Sequence, residues 1–138
     1  MATFLARIRV RNGEAARFEQ IARELYADSH RTETALRRYE YWRGEEPNVY
    51  YTLASFDSYP GFLAHQTSSH HENASPALRE VIEEIHLEWV DPIGGASPLV
   101  TTVMAVPGEE ASEAERAYAK RFDASPQAWW LDLRSERP

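Results

Sequence analysis

Residues 36–43 (LRRYEYWR) and 49–56 (VYYTLASF) are two runs of aromatic and branched side chains, separated by Gly44-Glu45-Glu46-Pro47-Asn48. Such side chains fill a pleated, half-buried surface, and a short linker rich in Gly, Pro and Asn turns the chain back, so the stretch predicts a β-hairpin. What flanks the hairpin decides the fold. Upstream, Phe4, Ala6, Ile8 and Val10 alternate with Leu5, Arg7, Arg9 and Arg11, the period of two of a half-buried strand that ends at Asn12-Gly13. From Glu14 to about His30, Phe18, Ile21, Ala22 and Leu25 recur at i, i+3, i+4 and i+7, one stripe of an amphipathic helix.

Downstream, a second helical region is expected in two pieces, Tyr59 to Thr67 and Pro76 to Trp89. Ser75 would cap the longer piece, Pro76 fits a first turn, and Leu78, Val81, Ile82, Ile85 and Trp89 give the buried stripe. Residues 99–106 (LVTTVMAV) read as a fourth strand closed by Pro107-Gly108. The order β-α-β-β-α-β is that of an α+β, ferredoxin-like domain over residues 1–107. Residues 108–138 extend it. Ser112 with Glu115 makes a capping box for a helix to about Phe122, and the adjacent Trp129 and Trp130 are expected to dock on a surface of this protomer or of a partner.

Composition bounds the function. In 138 residues with 43% apolar and 12% aromatic side chains there is enough for one real core, and no apolar run is long enough to cross a bilayer. The N-terminus MATFLARIRV is interrupted by arginines where a secretory signal would be uniformly apolar. Fifteen basic against 22 acidic residues, net −7, would repel a phosphate backbone, which argues against nucleic acid as a partner. The lack of cysteine removes thiolate nucleophiles and disulfides and fits a reducing cytoplasm. On the middle strands Tyr39, Tyr41, Tyr51 and Leu53 have one parity, and Trp42, Tyr50, Ala54 and Phe56 the other. With neither face polar, the face away from the helices must be covered, most simply by a second copy packed about a two-fold axis.

The chemistry is expected in residues 59–72, YPGFLAHQTSSHHE, where three of the five histidines fall within seven residues. Imidazole changes charge near neutral pH, so His65, on a short helix over an aromatic cavity, is the candidate general base. The candidate binding residues are Arg38, Tyr39, Trp42, Tyr51, Tyr59 and Phe62, as aromatic walls and a countercharge. The plain alternative is a His65 that only packs and hydrogen-bonds at the helix edge. His70 and His71, adjacent in a bend, are expected to face solvent or cap the following helix. His65 and His70 stand about 140° apart on a continuous helix of 3.6 residues per turn, which predicts that they do not chelate a metal together. No HExxH, Gly-rich phosphate loop or GxSxG elbow occurs.

The ARIRV of residues 6–10 followed by Asn12-Gly13-Glu14, the Arg38-Tyr39-Glu40 and Phe56-Asp57 of the hairpin, and above all AHQTSSHH at residues 64–71 resemble the antibiotic biosynthesis monooxygenase family, also called dimeric α/β barrels, over residues 4–106. Ala64, His65, Ser68 and His70 match the motif of its quinol monooxygenases, while Ser69 replaces the usual Pro. The resemblance implies a homodimer of ferredoxin-like protomers that forms an α/β barrel and oxidises a small aromatic substrate, a phenol, quinol or anthrone, with molecular oxygen and without cofactor or metal. Haem degradation is disfavoured, because Ala6, His65 and Ser75 stand where haem-degrading relatives carry Asn, Trp and His. A phosphorylated-signal isomerase of the same fold shares the histidine spacing, and a non-catalytic binding or stress-response dimer is the remaining alternative.

Overall fold

The structure is a computed structural model that describes residues 1–99, 112–121 and 127–130. Its first compact unit, Met1–Leu99, runs β1 (Ala2–Val10), α1 (Ala15–Thr32), β2 (Leu36–Arg43), β3 (Val49–Phe56), α2 (Tyr59–Gln66), α3 (Ser69–Val81) and β4 (Ile82–Trp89). The strands form one antiparallel sheet in the order β2-β3-β1-β4, the ferredoxin-like arrangement. The elements from β1 to α2 lie where the sequence places them. Asn48, in the left-handed region at φ 65, closes the hairpin turn, and its carbonyl accepts from the Val10 amide at 2.8 Å.

The second half corrects the sequence reading. The helix expected to begin at Pro76 begins at Ser69, where the hydroxyl of Ser68 accepts from the His71 amide, and Pro76 lies inside it. It ends at Val81, and the chain passes with no loop into β4, so that Ile82–Trp89 is strand rather than the end of a helix. The fourth strand is therefore residues 82–89, and the expected strand at 99–106 falls, after its first residue, outside the described residues. Trp89, Leu87 and Ile85 pair in register with Phe4, Ala6 and Ile8, a period of two hidden among glutamates that favour helix equally well.

The core lies between sheet and helices. Phe4, Ala6, Ile8 and Val10 of β1, Tyr39 of β2 and Tyr50, Ala54 and Phe56 of β3 are buried there against Phe18, Ala22 and Leu25 of α1. The Phe18 ring sits 4.7 Å from Tyr50 and 5.8 Å from Tyr41.

The opposite face is polar around an apolar centre, and here too the sequence reading changes. The hairpin pairs Tyr39 with Ala54 and Trp42 with Tyr51, so odd positions of β2 share a face with even positions of β3. Tyr39 and Tyr41 thus join Tyr50, Ala54 and Phe56 on the helix side. Tyr51, Leu53 and Leu5 form the centre of the helix-free face, with Trp42 on the edge strand β2 and Arg7, Arg9, Arg38, Glu40, Glu84 and Glu88 about them.

In the second unit, α4 (Glu113–Lys120) carries the expected capping box. The Ser112 amide donates to Glu115 Oε2 at 2.7 Å and the Glu115 amide to Ser112 Oγ at 3.2 Å. Trp129 and Trp130 are exposed. The expected boundary at residue 107 lies outside the described residues.

Candidate functional site

Three sequence signals bring distant residues together at one end of α1. Ser58 caps α2, its hydroxyl accepting from the Gly61 amide at 3.2 Å. A Cβ on Gly61 would lie 2.7 Å from the Cβ of Ala35, so only glycine lets α2 come this close to the connection between α1 and β2. Residues four apart share a helix face, and His65, one turn beyond Gly61, is thereby held against Glu33, the residue that ends α1. Ser68 then stops one helix and starts the next. Its hydroxyl donates to the His65 carbonyl at 2.7 Å and accepts from the His71 amide, which sets His70 in the first turn of α3.

The result is a buried cluster around one carboxylate. His65 Nδ1 lies 2.9 and 3.0 Å from the two oxygens of Glu33, and His70 Nε2 lies 2.7 Å from Glu33 Oε2. The hydroxyls of Ser29 and Ser68 approach the same His70 nitrogen at 3.2 and 3.1 Å. The His65 side chain is 1% exposed, and its ring centre stands 4.8 Å from Tyr39, 5.1 Å from Phe56 and 4.9 Å from His71. The Tyr39 and Tyr41 hydroxyls bond to each other at 2.7 Å. Glu33, Ser68 and His70 open on an outer cleft of about 870 Å³, also lined by Leu25, Asp28 and Arg31.

Electrostatics fix the protonation. Burial acts to raise the Glu33 carboxyl, but hydrogen bonds with Ser29, His65 and His70 outweigh it and hold the group below its ordinary value, so it is a carboxylate at neutral pH. Burial pushes the His65 imidazole below its ordinary value, and the opposing pull of Glu33 only partly restores it. His71 is likewise lowered, by burial and then by the neighbouring histidines. Burial pushes Tyr41 up to about 12 and Tyr39 also well up, so both stay protonated. A carboxylate can only accept, so His65 carries its proton on Nδ1. Its Nε2 then holds a lone pair and makes no hydrogen bond among the described residues.

Of the residues expected in the site, His65 and Tyr39 meet directly. Phe62 and Tyr59 form an aromatic wall farther along α2, with Phe62 5.9 Å from Phe4, 5.8 Å from Phe56 and 5.0 Å from Trp89, and Tyr59 6.3 Å from Trp89. Arg38, Trp42 and Tyr51 are not part of it. They lie on the helix-free face, because each neighbours in sequence a residue whose side chain packs on the helix side. His70 and His71 face inward rather than to solvent. The angular argument against joint chelation by His65 and His70 also lapses, since the break at Ser68 replaces one helix by two. The donor atoms of Glu33, His65 and His70 all lie within 4.8 Å of one another. Glu33 is scarcely marked in the sequence. Its one local signal is an acidic side chain at a helix C-terminus, where the helix dipole opposes negative charge and some compensating donor is called for.

The family model described as antibiotic biosynthesis monooxygenase matches residues 1–77. Solved structures of similar fold include PA3566 of Pseudomonas aeruginosa, at 19% identity and TM-score 0.62, with 67% of this chain and 93% of that one covered. Rv0793 of Mycobacterium tuberculosis has 16% identity and TM-score 0.64, with 70% and 98% covered. A Caulobacter crescentus protein whose name assigns it to antibiotic biosynthesis monooxygenases has 22% identity and TM-score 0.63, with 67% and 89% covered. No curated protein matches the sequence.

Proposed function

Since the chain belongs to the antibiotic biosynthesis monooxygenase family, we propose that it oxidises an electron-rich phenol, quinol or anthrone with molecular oxygen, using His65 as general base. The observation that supports this reading is the pairing of His65 with Glu33. The carboxylate anchors Nδ1–H, which fixes the tautomer and leaves Nε2 as the proton acceptor on an imidazole already neutral at pH 7.

Deprotonation turns the substrate into an anion that gives one electron to oxygen. The resulting superoxide and substrate radical combine at carbon to a peroxide anion, which takes the proton back from His65, and the hydroperoxide so formed loses water to leave a carbonyl. One oxygen atom is kept, the other departs as water, and the substrate itself supplies all the electrons, so no step calls on a resident cofactor. Tyr39, Phe62 and Tyr59 would bound the aromatic substrate. The family and the cysteine-free sequence fit a cytoplasmic enzyme acting on a small molecule, and no described helix is long and apolar enough to cross a membrane.

Oxygen uptake by chelator-treated protein offered quinols and anthrones should exceed the autoxidation rate for at least one of them. Interconversion of a phosphosugar without oxygen uptake would replace the monooxygenase by an isomerase, and inertness toward both classes would leave a binding protein.

The reading includes a homodimer packed through the helix-free face. Leu5 near its centre is 38% and Trp42 on its edge strand 51% exposed, and both would be shielded by a second copy. Light scattering after size exclusion should give about twice the chain mass of 15.8 kDa. A mass equal to one chain at micromolar concentration would remove the barrel.

A further inference from the structure

Glu33, His65 and His70 have the composition of a metal site as well as of a proton relay, and we infer that they bind a divalent first-row transition ion, with Zn²⁺ and Co²⁺ as the ions to test. Two imidazoles and one carboxylate suit zinc, cobalt, nickel or iron, and leave positions open for water. The three donors come from the end of α1, the end of α2 and the first turn of α3, so the fold rather than one flexible segment sets their spacing.

That spacing is close to what an ion needs. Adjacent donors on an ion with bonds of about 2.1 Å stand roughly 3.0 to 3.4 Å apart. Here the carboxylate lies 2.9 and 3.0 Å from one imidazole nitrogen and 2.7 Å from the other, and all donors fall within 4.8 Å. The carboxylate is already at that spacing from each ring, and drawing together the two imidazole nitrogens, which lie within 4.8 Å of each other, completes the set. The hydroxyls of Ser29 and Ser68, beside the His70 nitrogen, can orient water on the remaining positions. Entry is from the cleft that Glu33, Ser68 and His70 line.

Binding changes the tautomers of the rings. Each nitrogen that now donates to Glu33 must offer a lone pair instead, so each ring moves its proton to its other nitrogen. For His65 this places the proton on Nε2, the atom assigned above to accept one from substrate. The ion is therefore an inhibitor of proton abstraction rather than its cofactor. This consequence rests on the proposed function, whereas the site itself does not.

The test uses the full chain freed of metal by chelator and dialysis. Calorimetric titration with Zn²⁺ should show about one ion bound per chain at micromolar or lower concentration, and Co²⁺ should give a saturable visible absorption band. His70→Ala and Glu33→Gln should each weaken binding by at least about tenfold, the lower bound for losing even an outer-shell partner. His30→Ala and His86→Ala, on exposed histidines, should leave it unchanged. Absence of saturable binding to the parent protein overturns the site, a result that needs no variant to fold. So does binding that survives His70→Ala but not His30→Ala or His86→Ala. Protein that binds Zn²⁺ yet consumes no oxygen with any quinol keeps the site and loses the monooxygenase; protein that consumes oxygen and binds no Zn²⁺ does the reverse.

Discussion

Replacing His65 with alanine lowers turnover about 10²- to 10⁴-fold, the usual worth of a positioned proton acceptor. In the parent the rate rises with pH as the imidazole loses its proton, because only the neutral ring can accept one. Burial holds that ring below its ordinary value, so the rise is complete by neutral pH and the fall lies on the acid side. The variant loses this acid limb. His65→Ala also leaves a void against Tyr39 and Phe56 and takes one donor from the Glu33 carboxylate, so its rate is read well below its own melting temperature. His65→Gln, which retains a polar group of similar reach, separates the roles: lost turnover with restored stability marks the base. Parental turnover in both variants would return the histidine to packing alone.

Phe18→Ala should cost about 3 to 5 kcal/mol of folding stability, since the lost burial adds to the cavity left behind. Phe18 is 0% exposed and holds α1 to the sheet through Tyr41 and Tyr50. Domains of this size are stable by roughly 5 to 15 kcal/mol, so the change removes much of the margin. Urea unfolding should show a lower midpoint with an unchanged slope. A loss under about 1 kcal/mol would mean that Tyr41, Tyr50 and the flanks of α1 can close over the gap. Since α1 carries Glu33 at its end, loosening this contact should also relax the His65 pair.

The fold was legible where one face of an element is buried and the other wet. The alternation in β1 and the Phe18, Ala22 and Leu25 stripe of α1 follow directly from that contrast. It failed at residues 76–89 because three cues agreed on the wrong answer. Ser75-Pro76 imitates a helix start, Glu83 and Glu84 are good helix formers, and Val81, Ile82, Ile85 and Trp89 also fit a helical stripe. No turn residue marks the passage from α3 to β4. His65 could be found because its neighbours in sequence are unusual. Glu33 could not, being 32 residues away, and its meeting with His65 depends on how closely α2 crosses the chain at Ala35. That Arg38, Trp42 and Tyr51 lie on the helix-free face is not legible in the sequence, because hairpin register decides which parities share a face.

Val81 ends α3 and Ile82 begins β4, so the two elements meet like a crank and its shaft, with no slack between them. A loop would absorb a change in length; this joint cannot. One added residue would swing α3 by about 100° about its axis or invert the faces of β4, because the two periods are 3.6 and 2. The outer strand of the sheet is thus geared to the helix that carries His70, and descendants of this sequence can vary the length of the hairpin turn far more freely than that of this junction.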